Sequence, residues 1–270
     1  MTKHLALVLL SILFITRIGV TQELAQESKA SLNFYQLSID TLFESKQVIS
    51  ILKVPFEKYT TQVAYNQSVL KKTSTFATES NAIAAINAGF FNMKSGGSVT
   101  YLEINDSLIS YTGGTRPDHP LNDSLINGVV IITKLNKIKF EHKKPDSVYL
   151  KSLNEDAVLA TGPLLLLNGE KVLLANKSFV NNRHPRTCLC LTKNELIMIA
   201  VDGRSEQAEG MNLHELQEFL LLKNCQEAIN LDGGGSTTMW MKDKGVVNHP
   251  SDKTGERSVA NAIIIKLKEN

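Results

Sequence analysis

The chain has 270 residues, 43% hydrophobic and 21% charged, with a formal net charge of +2 at pH 7. That is ordinary globular composition, enough for one large domain or two small ones. Removing residues 1–21 takes away Lys3, Arg17 and no acid, which brings the formal charge to 0; a neutral mature chain argues against nucleic acid as its partner, because phosphate backbones call for a basic footprint.

At the amino terminus Lys3 precedes the apolar run LALVLLSILFI (Leu5 to Ile15), which Arg17 ends. A basic start followed by a run this short predicts a secretory signal over 1–21, cleaved near Gln22 after the small or polar Gly19 and Thr21. No cysteine lies near that end, so a lipid-modified amino terminus is not expected. No later stretch is apolar for long enough to span a bilayer. The mature protein is therefore expected to be exported, to periplasm or medium, with no stable membrane span after cleavage.

From Leu32 to about Val69 the chain is rich in β-branched and aromatic residues and reads as several strands. Residues 22–80 form the strand-rich start of one domain that continues through 81–268. Asn81 to Asn92 runs from an apolar element into a Gly-Phe-Phe turn, and Gly128 to Lys134 is a buried strand. Pro163 to Leu174 reads as a hairpin whose Asn168-Gly169 suits a type I′ turn. Arg186 to Arg204 reads as a second hairpin ending at Asp202-Gly203. One helix is clear: Asn212 is its N-cap, Glu215 completes a capping box, and Leu213, Leu216, Phe219 and Leu220 form its apolar stripe. EAINL then delivers Asp232 and three glycines at a strand end. Strands dominate and helices are few, which predicts a single α+β domain with mixed, strand-dominated sheets.

The three cysteines are Cys188, Cys190 and Cys225. Cys188 and Cys190 point to the same face of a strand. Small buried apolar side chains are the favoured reading, and a bridge from either of them to Cys225 stays open.

The glycines in NLDGGGSTTMWM fit no common phosphate or nucleophile motif. A Walker loop needs a lysine and a helix, a nucleophile elbow needs a closing glycine, and the dinucleotide fingerprint is absent. The six histidines (4, 119, 142, 184, 214, 249) never stand at zinc spacings. Asp202, Glu206 and Asp232 are hard oxygen ligands, yet their spacing matches no calcium loop, so no metal or cofactor is assigned. What remains is a carboxylate followed by backbone without side chains, whose N–H groups can nest an anion, with Ser236 and Thr237 as further donors. A tight turn capped by Asp232 is the plainer account of the same residues.

Six segments in order, AAINAGFFN, TGPLLLLNGE, HPRTCLCLTKNELIMIAVDGR, GMNLHELQEFL, CQEAINLDGGGSTTM and ERSVANAIII, resemble the phosphodiester glycosidase family. The resemblance covers roughly Ile83 to Leu267, and Asn230 to Ser236 is its most specific part. One departure is Ala88, where the family pattern more often has glycine. The resemblance implies cleavage between a sugar's anomeric carbon and a phosphodiester oxygen. The leaving phosphomonoester has a second pKa of about 6, so one carboxylate plus cations can replace the usual carboxylate pair.

On that reading Asp232 is the base or nucleophile, Asp202 the second carboxylate, and Glu206 or Glu209 the source of an acid. Each Asp-Gly pair is also a turn that its aspartate can cap. Arg186 and Arg204 are the phosphate ligands, with Arg183 and Arg257 in reserve; Arg186 and Arg204 could lie at opposite ends of their sheet. Asn87 and Asn230 suit sugar hydroxyls or tie loops together. Gly89, Thr187, Gly233, Gly234, Gly235, Ser236 and Thr237 complete the expected substrate-binding set. Phe90, Phe91 and Trp240 could stack on a sugar, although core packing is the commoner role. The expected partner is a carbohydrate phosphodiester. A non-catalytic module for phosphorylated or anionic glycans is the alternative, and hydrolysis by attack at phosphorus is a third.

Overall fold

The computed structural model describes residues 31–112 and 124–269, so the expected signal segment 1–21 lies outside the described residues. The first elements are β1 (Asn33–Ile39), β2 (Gln47–Pro55), β3 (Tyr59–Tyr65), β4 (Lys71–Lys72), helix α1 (Thr73–Glu79) and β5 (Ala84–Asn87). Then come β6 (Leu102–Ile104), β7 (Ser107–Ser110), β8 (Gly128–Thr133), β9 (Ile138–His142), helix α2 (Asp146–Tyr149), β10 (Glu155–Thr161), β11 (Leu164–Leu167) and β12 (Glu170–Lys171). The last part holds helix α3 (Ser178–Asn181), β13 (Arg186–Leu191), β14 (Glu195–Val201), helix α4 (Leu213–Leu222) and β15 (Glu227–Asn230). It ends with β16 (Met239–Met241), β17 (Gly245–Val246), β18 (Ser258–Val259) and β19 (Asn261–Leu267).

The largest sheet has the order β1-β2-β14-β13-β15-β11-β12. A five-stranded sheet, β7-β6-β10-β8-β9, and another, β17-β16-β5-β19-β3, pack against it, and β18 pairs with β4. The α+β class holds. The sheets are not mixed, however: the strand pairings among the described residues are antiparallel. A parallel neighbour needs a long crossover, and α4, the longest helix among the described residues, makes one that skips a strand. It links β14 to β15, which run parallel to each other with antiparallel β13 between them.

β13 and β14 are buried on both faces, and their alternation sorts side chains between two cores. Leu189, Leu191, Leu196, Met198 and Ala200 meet Ile86, Leu159 and Ile263 of the other sheets. Cys188, Cys190, Ile197, Ile199 and Val201 meet Leu213, Leu216, Phe219 and Leu220 of α4. The expected capping box is present, with Asn212 accepting from the Glu215 N–H and Glu215 from the Asn212 N–H; such a cap is worth about 1 kcal/mol. Asn168 (φ 53) and Gly169 (φ 77) turn the chain between β11 and β12, as a type I′ turn requires.

The favoured reading of the cysteines is corrected. Cys190 and Cys225 form a disulfide, and only Cys188 stays a buried thiol. The end of α4 brings Cys225 to the helix-facing side of β13, which sequence spacing does not reveal.

Candidate active site

The crossover places three strand ends together. β14 and β15 both finish where β13 begins, so Asp202 and Asp232 emerge on either side of Arg186, whose register partner on β14 is Val201. At spacings of about 4.8 Å between neighbouring strands, two backbones separated by a third lie roughly 10 Å apart. Arg186 and Arg204, which could have lain at opposite ends of the sheet, lie at the same end. In an antiparallel hairpin the start of one strand and the end of its partner share an end.

Beyond β15 the chain threads between two strands. Leu231 N–H donates to Thr187 O at 2.8 Å and Asp232 N–H to Ala88 O at 2.8 Å. Gly234 N–H donates to Pro185 O at 2.8 Å, while the N–H groups of Ser236 and Thr237 bond Gly233 O and Gly234 O. Those bonds make a 3-10 turn over Gly234–Ser236. Much of the expected anion nest is thus spent on protein carbonyls.

Asn87 ties this loop down. Its Nδ2 donates to Asp232 O at 2.6 Å, and its Oδ1 accepts from Thr187 Oγ1 at 2.9 Å and Thr238 N–H at 3.0 Å. Thr187 Oγ1 also lies 3.3 Å from Thr237 Oγ1. Asn230 Nδ2 donates to Gly162 O and Leu231 O, both within 2.8 Å. Asn87, Thr187, Asn230, Ser236 and Thr237 are all buried. Asn87 and Asn230 therefore take the loop-tying role of their two expected roles. Gly89 N–H donates to Asn261 Oδ1, and an added Cβ would strike Leu159, so its glycine serves packing.

The Asp232 side chain bonds with Ser236 and lies in the field of the Arg257 charge. Burial pushes its pKa up to about 6; the Ser236 hydroxyl, the Arg257 charge and the Gly233 backbone pull the other way. Arg257 grips Asp252 with two bonds, Nε to Oδ2 at 2.7 Å and Nη2 to Oδ1 at 2.9 Å, and its Nη1 reaches Ser236 Oγ at 3.4 Å. The glycines admit these groups. A Cβ on Gly235 would stand 2.1 Å from both Arg257 Nη2 and Asp252 Oδ1. Gly234, at φ +59, lies against Arg204, whose Nη2 is 3.0 Å from where its Cβ would be. A Cβ on Gly233 would come within 2.7 Å of Pro185 O.

Arg186 is 1% exposed and committed inward. Its Nε donates to Met211 O at 2.8 Å and its Nη2 to Phe179 O and Asn182 O, while the guanidinium lies over the Phe179 ring. Burial first, and the Arg204 charge second, disfavour its protonation. Its bonds make it a brace for the segment before β13, so of the two expected phosphate ligands Arg204 is the exposed one beside the glycine turn.

Asp202 is also buried, but apart from Asp232. Its Oδ1 accepts from His249 N–H at 2.9 Å and Asn248 Nδ2 at 3.1 Å. Burial raises its pKa against those two bonds. Glu206 is exposed, and its carbonyl accepts from Lys46 Nζ at 3.1 Å. Glu209 pairs with Arg183, which also grips Glu215; neither is brought to Asp232 by those bonds. Trp240 packs with Ala77, Ala85 and Ile264, and Phe90 meets Phe179 edge-on at 6.3 Å.

Sequence reasoning held Arg257 only in reserve and passed over Asp252 and Asn248. Asn248 joins the two sites: Nδ2 donates to Asp202 Oδ1 and to Thr237 O, and Oδ1 accepts from Met239 N–H. His184, tested only as a zinc ligand, sits by Arg186 and Arg204; burial, then those two charges, lower its pKa. The place of Arg257 inside the ERSVANAIII segment was the one available signal.

Fold and site define a strand-rich domain with a half-buried carboxylate at a glycine turn, flanked by two guanidinium groups. The family model for phosphodiester glycosidase matches residues 80–266, more than half of the chain, and the protein belongs to that family. It is similar to N-acetylglucosamine-1-phosphodiester alpha-N-acetylglucosaminidase of Bos taurus, 29% identical over 201 residues (65% of this chain, 34% of that protein). The Homo sapiens protein of the same name is 30% identical over 193 residues, covering 62% of this chain and 33% of that one. This chain thus spans about a third of those relatives' length. Its fold is similar to the catalytic domain of the zebrafish protein of that name, auto-inhibited by pro-peptide, with a TM-score of 0.70 and 20% identity over 89% of this chain and 83% of that one.

Proposed function

We propose that this protein hydrolyses the glycosidic C1–O bond of a sugar-1-phosphodiester, releasing free sugar and a phosphomonoester. The observation that carries the reading is Asp232, half-buried beside Ser236 and Arg257 at a turn that also receives Arg204. Ionised Asp232 either attacks C1 or takes a proton from the attacking water. The C1–O bond breaks with its electrons going to the phosphate, whose charge Arg204 meets. A phosphomonoester leaves as a stable anion, so a dedicated acid is less needed than in ordinary glycosidases. The names of the relatives make N-acetylglucosamine the first sugar to test.

Export is part of the same proposal. The basic and apolar start supports it, and so does the Cys190–Cys225 disulfide, since such bridges persist in oxidising compartments.

The test is hydrolysis of N-acetylglucosamine and glucose phosphodiesters in oxygen-18 water, with Asp232→Asn alongside. Label on the sugar, absent in the variant, is the expected result. Label on phosphate would move the attack to phosphorus. Binding without turnover would make the protein a receptor for anionic glycans.

A further inference from the structure

A cavity of about 410 Å³ lies beside the glycine turn, lined by Gln36, Asp202, Ser205, Gln207, Asn248 and His249 over an apolar wall that includes Val48 and Val247. Its size falls within the roughly 300–1,000 Å³ of small-molecule sites. Asp202 is 3% exposed, and both bonds its carboxylate accepts go to Oδ1. Among the described residues Oδ2 has no protein donor. Oδ2 thus stays open to the cavity that Asp202 lines, an acceptor free for a ligand's donor.

Two links connect this cavity to the catalytic turn. Ser205 lines it and follows Arg204, which lies against Gly234. Asn248 lines it and donates to Thr237 O at 3.0 Å, and the same segment continues to Asp252, the partner of Arg257. A ligand whose phosphate meets Arg204 therefore has this cavity next door.

We propose that the Asp202 cavity binds a hydroxylated ring flanking the phosphate, with Oδ2 accepting from its hydroxyl groups. This rests on the phosphodiester reading. The lining favours a polyol over a cation: one carboxylate stands among amide, hydroxyl and imidazole groups that offer donors as well as acceptors. Among the described residues no three histidine, cysteine, aspartate or glutamate side chains group to hold a metal ion. Asp202 is thus a specificity residue, and the catalytic role expected of it passes to Asp232 alone.

The ring has two sources, the sugar that is released or a sugar on the far side of the phosphate. Saturation-transfer NMR on the full chain uses free N-acetylglucosamine, glucose and mannose as probes, with inorganic phosphate, followed by phosphorus-31 line broadening, as a control. At least one monosaccharide is expected to bind, and Asp202→Asn to weaken it about tenfold or more while phosphate binding persists. Arg204→Ala is expected to do the reverse. Asn keeps an acceptor for the His249 and Asn248 bonds; should that variant still fail to fold, Gln207→Trp at the exposed mouth gives the same test by blocking entry. Kinetics then separate the sources. If Asp202→Asn raises KM for a methyl phosphodiester as much as for one carrying a second sugar, the cavity holds the released sugar. If only the second substrate suffers, it holds the far one. No monosaccharide binding to the wild type, unchanged binding in a folded Asp202→Asn and in Gln207→Trp, or tighter binding of butylammonium than of any sugar would each overturn the proposal. Monosaccharide binding lost in Asp202→Asn, in a protein that hydrolyses no phosphodiester, would keep the cavity and retire the enzymatic reading.

Discussion

Asn87 Nδ2 donates to the carbonyl oxygen of Asp232 at 2.6 Å, joining the end of β5 to the end of β15 across 145 residues of sequence. The bond holds the backbone at the Asp232 carboxylate between two sheets. Asn87→Ala removes it together with the bonds from Thr187 and Thr238. Leaving those buried groups unpaired is expected to cost about 2–4 kcal/mol in urea unfolding and to lower kcat with it. A rise in KM alone, with unchanged stability, would return Asn87 to a sugar-binding role.

Much of the frame was legible because its signals are local. Asn212 with Glu215, Asn168 with Gly169, and the alternation through β13 and β14 each depend on neighbours a few residues away. The site was legible in part. Asp232 stands out by its glycines, but the reason for those glycines was hidden. Sequence suggested room for substrate, whereas Gly234 and Gly235 make room for the protein's own Arg204, Arg257 and Asp252. Arg186 and Arg257 exchanged importance for a similar reason. A guanidinium reads the same in sequence whether it braces three carbonyls, as Arg186 does, or reaches Ser236, as Arg257 does. Only the tertiary contacts between distant segments separate the two.

That distinction predicts opposite phenotypes for the two arginines of the β13–β14 hairpin end. Arg204→Ala, at an exposed position, is expected to leave the melting temperature within about 2 °C and to raise KM for phosphodiesters, with a weaker salt dependence of kcat/KM. Arg186→Ala removes a buried guanidinium together with its bonds to three carbonyls. It is expected to cost about 3 kcal/mol or more in stability. Thermal melts and steady-state kinetics on the pair decide it; a stable Arg186→Ala with selectively raised KM would restore Arg186 as the phosphate ligand.

Gly235 gives a sharper probe of the Arg257–Asp252 pair. An alanine Cβ there would come within 2.1 Å of atoms of both side chains, which are the far ends of flexible groups and able to swing away. The fold is expected to survive Gly235→Ala with a loss near 1 kcal/mol, while kcat falls by about tenfold or more as Arg257 leaves Ser236 and Asp232. Full activity in the variant would show that Arg257 is dispensable.

The Cys190–Cys225 bridge closes α4 onto β13 across a sequence separation of 35. Chain entropy gives a loop of that length about 4 kcal/mol of stabilisation. Cys225→Ser is expected to lose about 2–4 kcal/mol, and dithiothreitol to lower the melting temperature of the wild type but not of the variant. A reductant-insensitive melt would mean that the bridge is not formed.

Asp232 carries the pH dependence. Its folded pKa, pushed up to about 6 by burial, stands above the roughly 3.9 of an unfolded aspartate. Below pH 4 both states hold the proton and the residue contributes nothing. As pH rises from about 4 to 6 the unfolded chain ionises first, so stability falls through that window by on the order of 2 kcal/mol and stays lower above it. Asp232→Asn never ionises. It is expected to match the wild type near pH 4, to melt at a higher temperature than the wild type at pH 7.5, and to have no turnover at either. In the wild type, kcat/KM is expected to rise with pH through about 6 and then level, because the ionised carboxylate is the reactive form. Arg257→Gln, by removing a charge that lowers this pKa, should move that rise to higher pH. A limb falling above pH 6 would instead make Asp232 the proton donor to the leaving phosphate, and the nucleophile would have to be sought elsewhere.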